Sequence, residues 1–143
     1  MIVFLDTNVL MDFYDNRPDF FRPAAQIMEC TDNGEFEIAA STISFVNIFY
    51  LLRKKYNTEK LYDKLENLSQ KCHVSPVDEK VIKESLRLHR KDFEDTVQYE
   101  SAKAVNADVI VTRNKKDFEN LGANVMTPIE FLNDFFAKKL NKK

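Results

Sequence analysis

A short apolar run that stops abruptly at an acidic residue opens this chain and most constrains its fold. Residues 2–5 read I-V-F-L, and such a run is typical of a strand buried on both faces of a parallel sheet. The polar residues 6–8 follow at once. The apolar spacing of Val9, Leu10 and Phe13 then indicates a helix that begins directly after the strand. The sequence therefore predicts a β-α unit at its start.

Asp6 has two interpretations at this junction. Ligands bind at the carboxyl ends of the strands in an open α/β sheet, so an acid there is placed for chemistry. A short polar side chain before a helix can equally cap its free N–H groups. The segment alone leaves both interpretations open.

The alternation of strand and helix continues along the chain. Further strands are predicted over 36–40, 72–77 and 108–112, with a short strand at 125–126. Predicted helices begin after Asp6, near Pro18 or Pro23, at Ile43, after the cap Thr58, and at Asp78, Phe93 and Pro128. Parallel β-α units with right-handed crossovers place helices on both faces of a sheet. We therefore predict a three-layer α/β/α fold with a central, mostly parallel sheet of four to five strands.

Length and composition limit the classes of function. The 143 residues, 44% of them hydrophobic, fit one domain over residues 1–143, with 141–143 expected to be a disordered tail. The net charge of −2 excludes a globally basic nucleic-acid-binding protein, so such binding must depend on local basic clusters. We expect no membrane span, because every apolar run is far shorter than the roughly 20 residues needed. Two distant cysteines and the lack of a secretory signal predict a cytoplasmic protein.

Asn47 interrupts an apolar helical face. It shares the predicted face with Val46 and Tyr50, and a buried amide without partners costs about 1–3 kcal/mol. It therefore either bonds a neighbouring strand end or points into a polar site that it shares with Asp6.

Asp92 and Asp95 stand at the start of the predicted helix 93–105. With Asp92 as N-cap and Asp95 at the third helical position, they approximate a capping box and interact favourably with the helix dipole. Asp95 also shares a face with Tyr99 and Ala102, which are expected to point inward. That position makes Asp95 a candidate functional acid.

Polar and basic residues follow the predicted strand 108–112. Thr112 and Asn114 fall at the sheet edge where we expect Asp6. The neighbouring basic residues are Arg113, Lys115 and Lys116. These side chains could bind a phosphate backbone or simply be solvated.

The carboxylates indicate a metal. Converging carboxylates repel each other unless a cation lies between them or one is protonated. Oxygen ligands without a Cys or His cluster favour Mg²⁺ or Mn²⁺. Such an ion stabilises charge on a phosphoryl oxygen and activates a bound water. The predicted chemistry is metal-dependent phosphodiester hydrolysis.

Three segments of this sequence resemble, in order and spacing, the motifs of PIN domains. They read F-L-D-T-N-V-L-M-D-F, D-F-E-D-T-V-Q-Y-E-S-A and V-I-V-T-R-N-K-K-D-F. PIN domains are small α/β nucleases that include the VapC-type toxins of bacterial toxin–antitoxin pairs, and the resemblance covers nearly the whole chain. It implies an endoribonuclease that uses Mg²⁺ or Mn²⁺ and cuts single-stranded or looped RNA. It also implies an antitoxin partner and a homodimer.

The resemblance assigns roles to individual residues. Asp6 and Asp95 match acids of the metal site, and Asp92 could approach the same metal as a further catalytic acid. Asn47 replaces the family's usual Glu, and Asn114 replaces an Asp that many members carry. The residues implied for positioning metal-bound water or phosphate are Thr7, Asn8 and Thr112, and those implied for RNA binding are Arg113, Lys115 and Lys116. Amide ligands bring no charge, so weaker metal binding is expected.

Two other functions compete with this one. A PIN-like scaffold that lost catalysis through Asn47 and Asn114 would bind RNA or protein without cutting it. A phosphatase of the haloacid-dehalogenase type also begins with a strand that ends in an acid, but Asn8 stands where its general acid is needed. Asp117 could add charge to the site, although we expect it to cap a helix or pair with a lysine.

Overall fold

Strands and helices alternate through the computed structural model, which describes residues 1–142. Its strands are β1 (Ile2–Leu5), β2 (Glu37–Ser41), β3 (Cys72–Ser75), β4 (Val109–Val111) and β5 (Val125–Met126). Its helices are α1 (Thr7–Tyr14), α2 (Phe21–Asp32), α3 (Thr42–Leu52), α4 (Thr58–Lys71), α5 (Glu79–Arg87), α6 (Phe93–Ala104) and α7 (Pro128–Asn141), with a 3₁₀ helix at Lys115–Phe118. Asn141, the first residue of the predicted tail, is helical, and Lys143 lies outside the described residues.

The strands form one parallel sheet in the order β3-β2-β1-β4-β5. Val3 in the central β1 lies opposite Ile38 in β2 and Val109 in β4. The chain moves outward on one side of β1 and then crosses to the other side at β4. Ligands bind outside the carboxyl ends of the strands at such a switch point. Asp6 and Thr112, the residues directly after β1 and β4, lie there.

Alternate residues of β1 pack into two different cores. Val3 and Leu5 face a large apolar cluster shared with α1, α2, α3, α4 and α7. Phe4 points the other way, toward Ala102 of α6 and Phe118 of the 3₁₀ helix. Helices thus cover both faces of the sheet, and the predicted three-layer α/β/α fold is confirmed.

Side-chain caps fix where several helices begin. Ser41, Asp92 and Thr127 are N-caps, and Thr127 forms a complete capping box with Glu130. The prediction for α4 is wrong by one residue, because Asn57 rather than Thr58 accepts the capping hydrogen bond.

The predicted inward face of α3 is also wrong. Val46 and Tyr50 are 69% and 60% exposed, whereas the buried residues are Ser44, Ile48 and Leu52. The helix is apolar on almost every side, so its hydrophobic period does not select a face. The small Ser44 marks the buried side, because it lets α3 approach polar groups of α1 and α6.

No helix within residues 1–142 combines the length and the apolar composition needed to cross a bilayer.

Candidate active site

Asp6 lies at the end of β1 with both carboxylate oxygens hydrogen-bonded. Its Oδ1 accepts from Thr7 N at 2.8 Å and from Gln98 Nε2 at 3.2 Å. Its Oδ2 accepts from Thr112 Oγ1 at 2.8 Å. Asp6 is therefore the N-cap of α1, but capping accounts for only one of its two oxygens. The other oxygen ties the end of β1 to the end of β4.

A buried hydrogen-bond network centred on Gln98 fixes the position of Asp6. Gln98 of α6 is fully buried, and its Nε2 also donates to Thr7 Oγ1 and Ser44 Oγ, both at 3.0 Å. Its Oε1 accepts from the hydroxyl of Ser41. The network joins α1, α3 and α6 through one amide. Sequence reasoning missed Gln98, although a lone glutamine among the small and apolar residues of α6 was the available signal.

Asp95 has a strongly raised pKa. Burial is the main cause that raises its pKa to about 8, and the adjacent Asp92 carboxylate is the next. The charges of Asp117 and Asp6 raise the pKa further. Asp92 itself caps α6, with its Oδ1 3.1 Å from Asp95 N. The structure thus brings Asp6 and Asp95 within electrostatic reach, although 89 positions separate them in the sequence.

Two other acids near Asp95 also have raised pKa values. Burial raises the pKa of Asp6 even though hydrogen bonds from Thr112, Thr7 and Gln98 oppose the change. Burial also raises the pKa of Glu94, with the charges of Asp6 and Asp92 as further causes. Sequence reasoning missed Glu94 as well, because it reads as an ordinary first-turn acid. We call Asp6, Asp92, Glu94, Asp95 and Asp117 the carboxylate cluster.

The two asparagines that replace family acids differ in their surroundings. Asn47 Nδ2 donates to Glu94 Oε1 at 3.0 Å, so its hydrogen-bond partner is not a strand end but an acid of the cluster that also contains Asp6. Asn114 is exposed, and its side chain does not cap the 3₁₀ helix that it precedes. Its backbone N–H donates to Thr112 Oγ1 at 3.1 Å. Asn47 therefore touches the carboxylate cluster, and Asn114 lies at its rim.

Asn8 and Thr112 hold the loop that follows β4. Asn8 Nδ2 donates to Thr112 Oγ1 at 3.2 Å, and its Oδ1 accepts from Arg113 N at 3.3 Å. Thr112 is fully buried. Their hydrogen bonds therefore fix the backbone of the loop after β4 relative to the start of α1.

Arg113 is engaged in a buried ion pair. Its Nε donates to Asp12 Oδ2 at 2.7 Å, and Asp12 is only 1% exposed. The guanidinium carbon lies 4.1 Å from the centre of the Phe20 ring. Breaking this pairing would leave the buried Asp12 carboxylate with only the longer contact to Arg17 Nη1, at 3.7 Å. The predicted RNA contact of Arg113 stays a prediction.

The lysines and the acid of the 3₁₀ helix differ in their pairing. Lys115 pairs with Glu130 at 3.2 Å on the surface, and Lys116 is exposed. We expected Asp117 to cap a helix or pair with a lysine. Instead, its charge raises the pKa of Asp95, and the ion pairs found among residues 1–142 do not include it.

Comparison with known proteins identifies the family. The model of the PIN domain family matches residues 2–116 of this chain. The chain belongs to the PIN domain family. A relative, Ribonuclease VapC1 of Aquifex aeolicus, is 25% identical over 134 residues, which are 90% of this chain and 92% of the relative.

Solved structures share the PIN fold with this chain. VapBC-1 from nontypeable Haemophilus influenzae matches with a TM-score of 0.68 and 20% identity, over 90% of this chain and 99% of that one. VapBC2 from Rickettsia felis, bound to a DNA fragment from its promoter, matches with a TM-score of 0.66 and 22% identity, over 89% and 98% of the two chains. VapC20 of Mycobacterium tuberculosis, a toxin that cleaves the sarcin-ricin loop, matches with a TM-score of 0.66 and 11% identity, over 85% and 95%.

The donors in this PIN domain fit a hard divalent cation bound through few protein ligands. PIN-domain nucleases generally use divalent metal ions. Within residues 1–142 no three Asp, Glu, His or Cys side chains are already arranged to hold a metal. Mg²⁺ needs only one or two carboxylates, because water and substrate phosphate complete its shell. Asp6 and Asp95 would supply those two, and a bound cation would offset the burial and the neighbouring carboxylates that raise the pKa of Asp95.

Proposed function

We propose that this protein is a Mg²⁺- or Mn²⁺-dependent endoribonuclease that hydrolyses RNA phosphodiester bonds, as the toxin of a toxin–antitoxin pair. The observation that carries the proposal is the carboxylate cluster at the carboxyl edge of the sheet. Burial first, and then the charges of neighbouring members, raise the pKa values of Asp6, Glu94 and Asp95. A group of acids that is unfavourable without a cation is typical of a metal-dependent site. The relative Ribonuclease VapC1 supports the nuclease class.

Each acid has a distinct task in this proposal. Asp6 is the fixed ligand, because four donors orient its carboxylate. Asp95 would be the second ligand, and its carboxyl would have to be deprotonated to hold the ion. The bound ion would polarise the phosphoryl group and supply an activated water. Asp92 and Asp117 add negative charge beside Asp95.

Glu94 takes the place of the acid that position 47 lacks. Its carboxylate accepts a hydrogen bond from Asn47 Nδ2 at 3.0 Å. The amide on α3 thus binds a carboxylate that belongs to α6. The negative charge expected from α3 thus comes from the neighbouring helix. Asn114 at the rim stays available to a metal-bound water.

The proposed function also indicates which partners the protein binds. RNA in a single-stranded or looped form leaves its backbone accessible to the carboxylate cluster, and Lys116 is placed to contact it. The VapBC complexes among the related structures support an antitoxin partner. The exposed apolar residues Val46, Tyr50 and Leu51 on α3 support a homodimer or another protein contact. We place the protein in the cytoplasm as a single PIN domain.

Cleavage assays on two variants test the proposal. Asp6→Asn and Asp95→Asn should each abolish Mn²⁺-dependent cleavage of a labelled single-stranded RNA, because each removes a charged ligand. Asp63→Asn is the matched control, since Asp63 is an exposed acid on α4 away from the sheet edge. Cleavage by both site variants at the wild-type rate would remove the proposed mechanism.

A second function has an observation in its favour. The absence of three preassembled ligands within residues 1–142, with amides at positions 47 and 114, favours a PIN scaffold that binds RNA or protein without cutting. This alternative expects RNA binding without cleavage and no uptake of Mn²⁺. Titration of the purified protein with Mn²⁺ by calorimetry separates the two functions.

A further inference from the structure

A cavity of about 700 Å³ lies beside the carboxylate cluster, between the start of α6 and the 3₁₀ helix. Asp92 and Asp117 line it on the side of the cluster. The remaining wall holds three cations, one aromatic ring, one acid and one amide, which are Arg90, Lys91, Lys116, Phe93, Glu119 and Asn120. Acids, cations and an aromatic ring therefore line one cavity.

Phe93 is the aromatic group in this wall. It is the first residue of α6, two positions before Asp95, and 44% of it is exposed. A single exposed aromatic needs no explanation by itself. Here, however, the ring faces a cavity that holds cations and adjoins the candidate metal ligands. An aromatic face beside basic side chains is the arrangement on which bases of single-stranded nucleic acids stack.

The cations of the wall share the cavity with three acids, Asp92, Asp117 and Glu119. Arg90 Nη2 donates to the backbone carbonyls of Asp117 and Glu119, both at 3.1 Å. Its Nη1 is buried without a hydrogen-bond partner. Lys91 and Lys116 are exposed. The ion pairs among residues 1–142 include none of these three cations.

We infer that this cavity binds one nucleotide of single-stranded RNA beside the scissile phosphate, with its base stacked on Phe93 and its phosphate near Lys91 and Lys116. The inference rests on the proposed function, because the scissile phosphate is placed at the carboxylate cluster. Stacking is tolerant of base identity. The site thus adds affinity for single strands and excludes a paired base, whose faces are covered by its neighbours.

Binding measurements in a non-cleaving background test the inference. The full chain carrying Asp6→Asn is titrated into a fluorescent single-stranded RNA, alone and with Phe93→Ala, Phe93→Tyr or Tyr62→Ala. We expect Phe93→Ala to raise Kd about tenfold, from the range that base stacking contributes, and Phe93→Tyr to keep the original Kd. Tyr62 is the control, because it is an aromatic residue of α4 with 55% exposure and lies outside this cavity.

A second readout separates stacking from a structural effect. An abasic nucleotide is moved along the RNA one position at a time. At one position, removal of the base should raise the Kd of the Asp6→Asn protein about tenfold. The same removal should leave the Kd of the Asp6→Asn, Phe93→Ala double variant unchanged. Thermal unfolding confirms that the variants fold.

The outcomes distinguish this inference from the proposed function. Equal Kd values for Phe93→Ala and Tyr62→Ala overturn the cavity site, as does an absence of RNA binding by the Asp6→Asn protein. In either case, RNA cleavage by the wild-type chain still decides the proposed function separately. Stacking at one nucleotide is also overturned if Phe93→Ala raises Kd for every abasic RNA, whichever position lacks its base.

Discussion

Neutralising Asp95 should stabilise the metal-free protein, although it should abolish activity. The structure raises the pKa of this carboxyl from 3.8 to about 8, chiefly through burial and then through Asp92. That difference corresponds formally to roughly 6 kcal/mol. The side chain is only partly buried, so screening by water reduces the cost of its charge to about 1–2 kcal/mol. The Asp95→Asn variant keeps the shape of the side chain and removes this cost.

The effect has a defined dependence on pH. Because the folded pKa of Asp95 lies above the unfolded value, the folded chain keeps this proton between about pH 4 and pH 8 while the unfolded chain releases it. The contribution of Asp95 to the free energy of unfolding therefore falls as pH rises through this window. Asp95→Asn lacks the titrating group. The two proteins should be nearly equal in stability at pH 4 and should differ most at pH 8 and above.

Thermal unfolding followed by circular dichroism measures this difference. In EDTA at pH 8, Asp95→Asn should unfold roughly 4–8 °C above the wild type, and the gap should close toward pH 4. Added Mn²⁺ should raise the Tm of the wild type and leave that of the variant unchanged, because a ligand stabilises only the state that binds it. Asp63→Asn on α4 serves as the control. A variant less stable than the wild type at pH 8, or a gap that does not change with pH, would refute the reasoning.

Three further predictions concern groups around the site. Arg113→Ala should lower the free energy of unfolding by up to about 3 kcal/mol in urea titrations, because it leaves the buried Asp12 carboxylate with only the 3.7 Å contact to Arg17; adding Asp12→Asn should recover part of the loss. Gln98→Leu should lower the free energy of unfolding by about 1–3 kcal/mol, since it removes the buried hydrogen bonds to Asp6, Ser41, Thr7 and Ser44, and should also reduce RNA cleavage. Lys116→Gln should reduce the slope of log K against log salt for RNA binding by about 1, whereas Lys115→Gln should change it less. Equal slopes for the two lysine variants would contradict that last assignment.

The sequence predicted the order and type of the elements because local signals determine them. The apolar run at 2–5 specified a buried strand, and the caps Asp92 and Thr127 specified helix starts through hydrogen bonds to nearby backbone groups. Asp6 and Thr112 could be placed at one edge of the sheet, because parallel strands bring their carboxyl ends together. These inferences need only short-range geometry and the rules of parallel sheets.

Tertiary packing decided which polar groups meet. Asp12 and Arg113 lie 101 positions apart, so no local pattern marked Arg113 as buried rather than as a surface cation. Glu94 and Asn47 became partners only when α6 packed beside α3. The buried side of α3 likewise depended on its neighbours. Local propensity fixes the backbone of each element, but the partner of a polar side chain is set by how helices pack across the sheet, and residues far apart in sequence determine that packing.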